Sequence, residues 1–349
     1  MNTSYITIVK PDDMHLHLRH YDMLDFVLGD TVKQFARAIV MPNLNIPIIN
    51  TKLAINYRNS ILNALKNIKG DIKYFEPLMT LYLTDLTTAD EILRAKESGI
   101  IFAVKLYPHS ATTNSSSGVI DLFKNCSKVL EMLQVIKMPL LIHAEVFDHR
   151  VDIFDRESVY IDKIIIPLRK KFPELKIVIE HLSTKEGVDY VYSSSSFTAA
   201  TITPQHMLYN RNIIFSGGLR PHYYCLPILK SEAHREYLVK AATSGDKRFF
   251  LGTDSAPHDI KAKENNCCCA GCYSSYNAIS FYVKIFEEAG CISNLEKFAS
   301  FNGADFYDLP RNSQTLTIYR NENVVPSELR FKDLTIVPLA SGETLQWHV

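Results

Sequence analysis

The sequence predicts a (β/α)8 barrel with a C-terminal extension packed on its outside. Two observations predict it. Eight short, mostly apolar runs recur along the chain, and helix-period segments fill most of the gaps between them. A third observation, polar residues gathered at the ends of those runs, marks the face where chemistry would occur.

The runs are Tyr5–His17, Ala36–Asn43, Tyr74–Leu83, Ile101–Pro108, Pro139–Glu145, Ile177–His181, Thr198–Pro204 and Phe249–Asp254. They are rich in Val, Ile and Phe without strict alternation, as strands buried on both faces of a parallel sheet are. Between them, Thr51–Ile68 carries apolar residues at helical spacing, with Gly70 beyond it as a stop. Thr87–Ser98 opens on Thr, has acidic residues in its first turns and meets Gly99. Val119–Ile136, Arg156–Lys171, Lys185–Tyr192 and Ser231–Thr243 are further helices on the same pattern. A doubly wound open sheet is the structural rival. Pro108–Gly118, with Thr112, Thr113 and three serines, reads as a mobile loop after the fourth strand. From Leu295 onward the periodicity fades, so residues 1–349 are expected to form one domain whose tail wraps the barrel.

Composition narrows the function. The chain of 349 residues is 46% hydrophobic, and 38 Lys and Arg balance 38 Asp and Glu. A net charge of zero offers nothing to nucleic acid or an anionic membrane, which favours a small-molecule partner. No segment approaches the ~18 consecutive apolar residues of a membrane helix, and the N-terminus lacks a signal-peptide pattern. Seven cysteines, four of them between Cys267 and Cys272, suggest reduced thiols and a cytoplasmic location.

His15, His17, Lys105, His143, His181 and Asp254 all stand at or near the C-terminal ends of predicted strands. His15 and His17 are two apart, so both imidazoles point to one side. Alone, His-x-His is a weak signal, as readily two histidines satisfied in a polar loop. Joined by two more strand-end histidines and a strand-end Asp, it suits a zinc site. Lys105 lies in a buried-type strand, where an ammonium is costly unless paired. Two accounts stay open for it: a lysine paired with a carboxylate at the barrel mouth, or an amine whose lowered pKa lets it add carbon dioxide and bridge two metals as a carbamate. Arg19, two residues past His17, should point the same way, though alone it would read as a surface charge.

The stretches Pro11–Arg19, Ala38–Asn43, Lys105–Pro108 and Gly252–His258 resemble the dihydroorotases, in their short, single-domain, bacterial-like form within the amidohydrolase superfamily. The resemblance runs from Pro11 to Phe306. It implies a hydrolase interconverting dihydroorotate and N-carbamoyl aspartate, the third step of pyrimidine synthesis, and a homodimer. It also implies two zinc ions per subunit, with His15, His17 and Asp254 on the first, His143 and His181 on the second, and Lys105 as the carbamate bridge. Asp254 would be the catalytic base and then the acid. Arg19, Asn43 and His258 would bind substrate beside His17 and His143, with backbone groups of Leu226 and Ala270. Thr112 and Thr113 would belong to a loop that closes over it.

Two other readings share these residues. A hydantoinase or allantoinase would use the same metal ligands, but Arg19, Asn43 and His258 suit a ring bearing a carboxylate. A non-catalytic scaffold relative would be expected to have lost ligands, and all six are present. Cys269–Cys272 forms a C-x-x-C, yet no second Cys/His pair stands at zinc-site spacing, so a loop of reduced thiols beside the substrate is expected. The remaining histidines, His206 among them, are expected on surfaces and in loops.

Overall fold

The computed structural model describes residues 4–68 and 74–349, so Gly70, the expected helix stop, lies outside the described residues. Eight parallel strands follow one another in chain order around a sheet: β2 (Asp12–Leu16), β3 (Arg37–Val40), β4 (Glu76–Tyr82), β5 (Ile101–Leu106), β6 (Leu140–Ile142), β7 (Ile177–Ile179), β8 (Thr198–Ile202) and β9 (Phe249–Leu251). The sheet closes where β9 returns to β2. Asp254 N–H donates to His15 O at 2.8 Å, His17 N–H donates to Ser255 O at 3.1 Å, and Leu16 bridges Ser255 in parallel. That closure separates the barrel from an open doubly wound sheet.

The first predicted run divides. Tyr5–Val9 is a separate strand, β1, and the chain breaks at Lys10-Pro11, where proline has no N–H to give a ladder. β1 pairs antiparallel with β10 (Thr315–Val324), from Tyr5 opposite Tyr319 to Val9 opposite Thr315. After the hairpin of β11 (Leu329–Phe331) and β12 (Leu334–Ile336), β13 (Thr344–His348) joins the other side of β10. A three-stranded sheet thus ties the two ends of the chain together outside the barrel.

Helices Thr51–Lys66, Ala89–Glu97, Lys185–Ser193 and Glu232–Thr243 lie within or close to the predicted spans. The first three begin on side-chain caps from Asn50, Thr88 and Thr184. Val119–Ile136 yields two short helices, Leu122–Asn125 and Ser127–Val135. Arg156–Lys171 carries a π segment at Ile161–Ile165, just before Pro167 removes an N–H from the ladder. Helices Tyr21–Gln34 and Ala278–Glu288 were not among the predicted ones. No described helix is long and apolar enough to cross a membrane.

Inside the barrel each strand contributes one residue to a buried apolar layer: Met14, Ile39, Leu78, Ala103, Leu141, Val178, Ala199 and Phe250. The pleat turns every second residue the same way. Two residues on, the same inward positions become Thr80, Lys105, His143, Glu180, Thr201 and Gly252. The apolar layer is the floor and the polar layer above it is the site.

Candidate active site

Asp254 sits where the barrel seam brings β9 onto β2. Its Oδ1 lies 3.0 Å from His17 Nε2 and 3.3 Å from His15 Nε2. His15, His181 and Asp254 offer ligand atoms all within 4.8 Å of one another, and all three are buried. His143 joins through His181, Nδ1 to Nε2 at 3.1 Å. Two nitrogens on one tetrahedral zinc would stand about 3.3 Å apart, given Zn–N distances of roughly 2.0–2.1 Å. The spacings along Asp254, His15, His17, His143 and His181 therefore fit metal ligation. The tightest cluster takes His181 from the histidine pair expected on the second ion, so the two expected ligand sets share one compact space.

Local backbone serves this convergence. Asp254, His181 and Arg19 have positive φ, 45°, 41° and 58°, a left-handed conformation non-glycine residues adopt at a cost of about 1–3 kcal/mol each where surroundings enforce it. Gly252 precedes the turn because a Cβ there would meet Thr201 Cβ at 2.7 Å and His15 Cβ at 3.0 Å. Asp13 pins the seam, accepting from Thr253 N–H at 2.9 Å, Thr253 Oγ1 at 2.6 Å and His15 N–H at 3.1 Å. A shift of register in β2 between Asp13 and Leu16 lets Met14 enter the floor while His15 and His17 reach the site.

Behind the histidines stand two carboxylates that sequence reasoning missed. Glu180 Oε2 lies 2.6 Å from His15 Nδ1 and also accepts from Thr201 Oγ1. Glu145 Oε2 lies 2.9 Å from His143 Nε2. Each leaves the opposite ring nitrogen free to face the centre, the usual outer partner of a metal-bound imidazole. The signal was present: a carboxylate within two residues of each strand-end histidine, in otherwise apolar runs.

Lys105 is fully buried, and its Nζ has no hydrogen-bond partner among the described residues. Burial lowers its pKa to about 8, against the pull of Glu180 and Asp254. His17 falls to about 3, mainly by burial, with Asp254 opposing. Burial and the Lys105 charge act to lower His15, but Glu180 and Asp254 carry it above the ordinary value. Burial also works against the Asp254 carboxylate, yet His15 and His17 hold it well below the usual range.

Arg19 reaches across the seam. Its Nε donates to Pro257 O at 3.2 Å and its Nη2 meets His258 Nε2 at 3.1 Å. His258 Nε2 is also 3.1 Å from Ala270 O, and one nitrogen cannot accept from Arg19 while donating to Ala270. Burial and the Arg19 charge push His258 down to about 2, against the Ala270 carbonyl, so the ring is neutral; because a guanidinium can only donate, its contact with Nε2 requires that nitrogen as acceptor. The Ala270 carbonyl is then left to Thr113 Oγ1, 3.3 Å away, and to a ligand.

His15, His17, Arg19, Asn43, Thr112, Thr113, His143, His181, Leu226, Asp254 and Ala270 line one chamber, with Tyr107. Lys105 lies beneath it, and His258 lines an adjoining cavity of about 570 Å3 that shares Arg19 and Thr113. The chamber measures about 20 Å3, room for a single water. The loop after β5 closes it: Asn43 Nδ2 donates to Thr113 O at 3.2 Å, and Asn114 Nδ2 donates to Asn43 O at 3.1 Å. His206 is buried rather than superficial and bonds Thr203 Oγ1 and the carbonyl of Pro227, the residue after Leu226. Cys225 and Cys272 are likewise buried, whereas Cys267 is exposed; all are free thiols.

The profile of the amidohydrolase family matches residues 7–318. A dihydroorotase of Cupriavidus pinatubonensis is 55% identical over 345 residues, covering 99% of both chains. A dihydroorotase of Nitrosomonas eutropha is 53% identical over 348 residues, covering 99% of this chain and all of that one. The crystal structure of Campylobacter jejuni dihydroorotase superposes with a TM-score of 0.90 at 33% identity, covering 100% of this chain and 98% of that one. An L-hydantoinase of Arthrobacter aurescens shares only the fold, at 13% identity and a TM-score of 0.79, covering 98% of this chain and 82% of that one. The chain belongs to the amidohydrolase family and, within it, to the dihydroorotases.

Proposed function

We propose that this chain is a zinc-dependent hydrolase of cyclic amides that interconverts dihydroorotate and N-carbamoyl aspartate, the third step of pyrimidine synthesis. One observation carries the reading: Arg19, the cation suited to a substrate carboxylate, lines the same chamber as His15, His17, His143, His181 and Asp254.

His15, His17 and Asp254 would hold one zinc, and His143 and His181 a second. The unpartnered Nζ of Lys105 supports a carbamate there, because an isolated buried ammonium is costly and a carboxylated Lys105 would offer oxygen ligands to the zinc ions. When bound, the zinc ions supply a nucleophilic hydroxide near neutral pH and polarise the amide carbonyl. Asp254 takes the proton of the attacking group and delivers it to the departing ring nitrogen. Arg19 pairs with the substrate carboxylate, assisted by Asn43 and His258, while His17 and His143 border the ring. Backbone groups of Leu226 and Ala270 hold the ring's polar edge. The loop bearing Thr112 and Thr113 opens to admit the ring and closes to exclude water. Residues 1–349 act as one domain, in a cytoplasmic homodimer.

Steady-state kinetics with dihydroorotate and hydantoin test the reading. Dihydroorotate turnover that depends on zinc is expected. Hydantoin turnover without dihydroorotate turnover would replace it with the hydantoinase reading, and a protein that binds no zinc and gains no activity with zinc and bicarbonate would leave a scaffold.

A further inference from the structure

We infer that Tyr107 is a further substrate-positioning residue, its hydroxyl donating a hydrogen bond to an oxygen of the bound cyclic amide. The inference rests on the proposed activity and deepens it.

Tyr107 stands two residues past Lys105, just beyond the end of β5, so it continues the inward-facing series Ala103, Lys105, Tyr107. Its ring packs 5.1 Å from Tyr82, 6.2 Å from the His143 ring and 5.1 Å from Lys105 Nζ. The side chain is 2% exposed and lines the chamber with Arg19 and Asp254. Its hydroxyl is buried without a hydrogen-bond partner among the described residues. Other buried tyrosines satisfy theirs: Tyr57 donates to Arg19 O at 2.8 Å, and Tyr282 to Ile202 O at 2.9 Å. Two further tyrosine hydroxyls are unpartnered, on Tyr190 and Tyr307, and neither residue lines the chamber.

A buried hydroxyl left unpaired is destabilising, and a phenylalanine would fill the same space without that penalty. The hydroxyl therefore has a use that the free protein does not show. A tyrosine hydroxyl is an O–H donor at neutral pH. A cyclic amide carrying a carboxylate brings oxygen acceptors into a chamber otherwise too small for more than a water. With Arg19 on the carboxylate and Asp254 at the scissile bond, a donor from a third wall removes the ring's remaining freedom to rotate between them.

Tyr107→Phe tests this on the zinc-loaded enzyme. Expected is a fall in kcat/KM of roughly tenfold to a hundredfold for dihydroorotate hydrolysis and for the reverse closure, the cost of one substrate hydrogen bond. Affinity for orotate, a planar ring carrying the same carboxylate, should weaken in parallel by calorimetry. Zinc content should be unchanged, and Tm unchanged or raised, because no described protein group loses a partner. A variant within twofold of wild type in kcat/KM overturns the inference. So does a loss of activity accompanied by lower zinc content or lower Tm, which would make the hydroxyl structural. Wild-type enzyme that fails to turn over dihydroorotate overturns instead the activity on which the inference rests.

Discussion

His15 Nδ1 and Glu180 Oε2 lie 2.6 Å apart, both side chains fully buried, and this pair decides which nitrogen of His15 faces Asp254. Thr201 Oγ1 donates to the same carboxylate oxygen and accepts from His181 N–H at 2.7 Å, so one threonine braces two histidines. Replacing the anion by a neutral amide should weaken the imidazole as a ligand. Glu180→Gln is expected to lower zinc affinity by roughly tenfold to a hundredfold, measured by competition with a chelator. Wild-type affinity in the variant would show that Glu180 does not act through His15.

Lys105 should matter to metal loading more than to the fold. Lys105→Ala is expected to lose bound metal, and acetate, a short carboxylate, to restore part of the activity. Atomic absorption on the purified variant provides the check; unchanged metal content would rule out the bridge.

Asp254→Ala removes the proposed proton carrier. Turnover should fall by roughly 10²–10⁴-fold while far-UV circular dichroism stays that of the wild type. Turnover within tenfold of wild type would contradict the base assignment.

His206 sets a pH dependence of stability that is separate from the proposed metal ligands. Burial pushes its pKa down to about 4, against the ordinary 6.5. Between those values the unfolded chain binds a proton that the folded chain refuses, so stability is complete above pH 6.5 and declines as pH falls towards 4. The decline amounts to about 3 kcal/mol. His206→Gln should flatten the Tm-against-pH curve in this window. An unchanged slope would show that the neutral imidazole is not what opposes protonation.

Much of this was legible in the chain. The barrel strands, their polar ends and the helices of clear period follow from local rules, because apolar runs, caps and glycine stops act over a few residues. Glu145 and Glu180 were also within reach, each beside a recognised histidine. The division of the first run at Lys10-Pro11 was harder to read, because β1 finds its partner more than three hundred residues away in β10. Helices Tyr21–Gln34 and Ala278–Glu288 escaped the periodic reading. His206 passed for a surface residue because, beside the local cap Thr203, its partner Pro227 comes from a loop twenty-one residues on.

By itself the sequence marked the candidate ligand types, the order in which the strands present them and Arg19 as the cation proposed for a substrate carboxylate. Only the tertiary structure decided how they meet. Closure of β9 onto β2 carries Asp254 across 237 residues to His17, and the same seam sets Arg19 against His258. Burial in that closed space then shifts the charges, since a carboxylate, an amine and several imidazoles removed from water must answer to one another rather than to solvent.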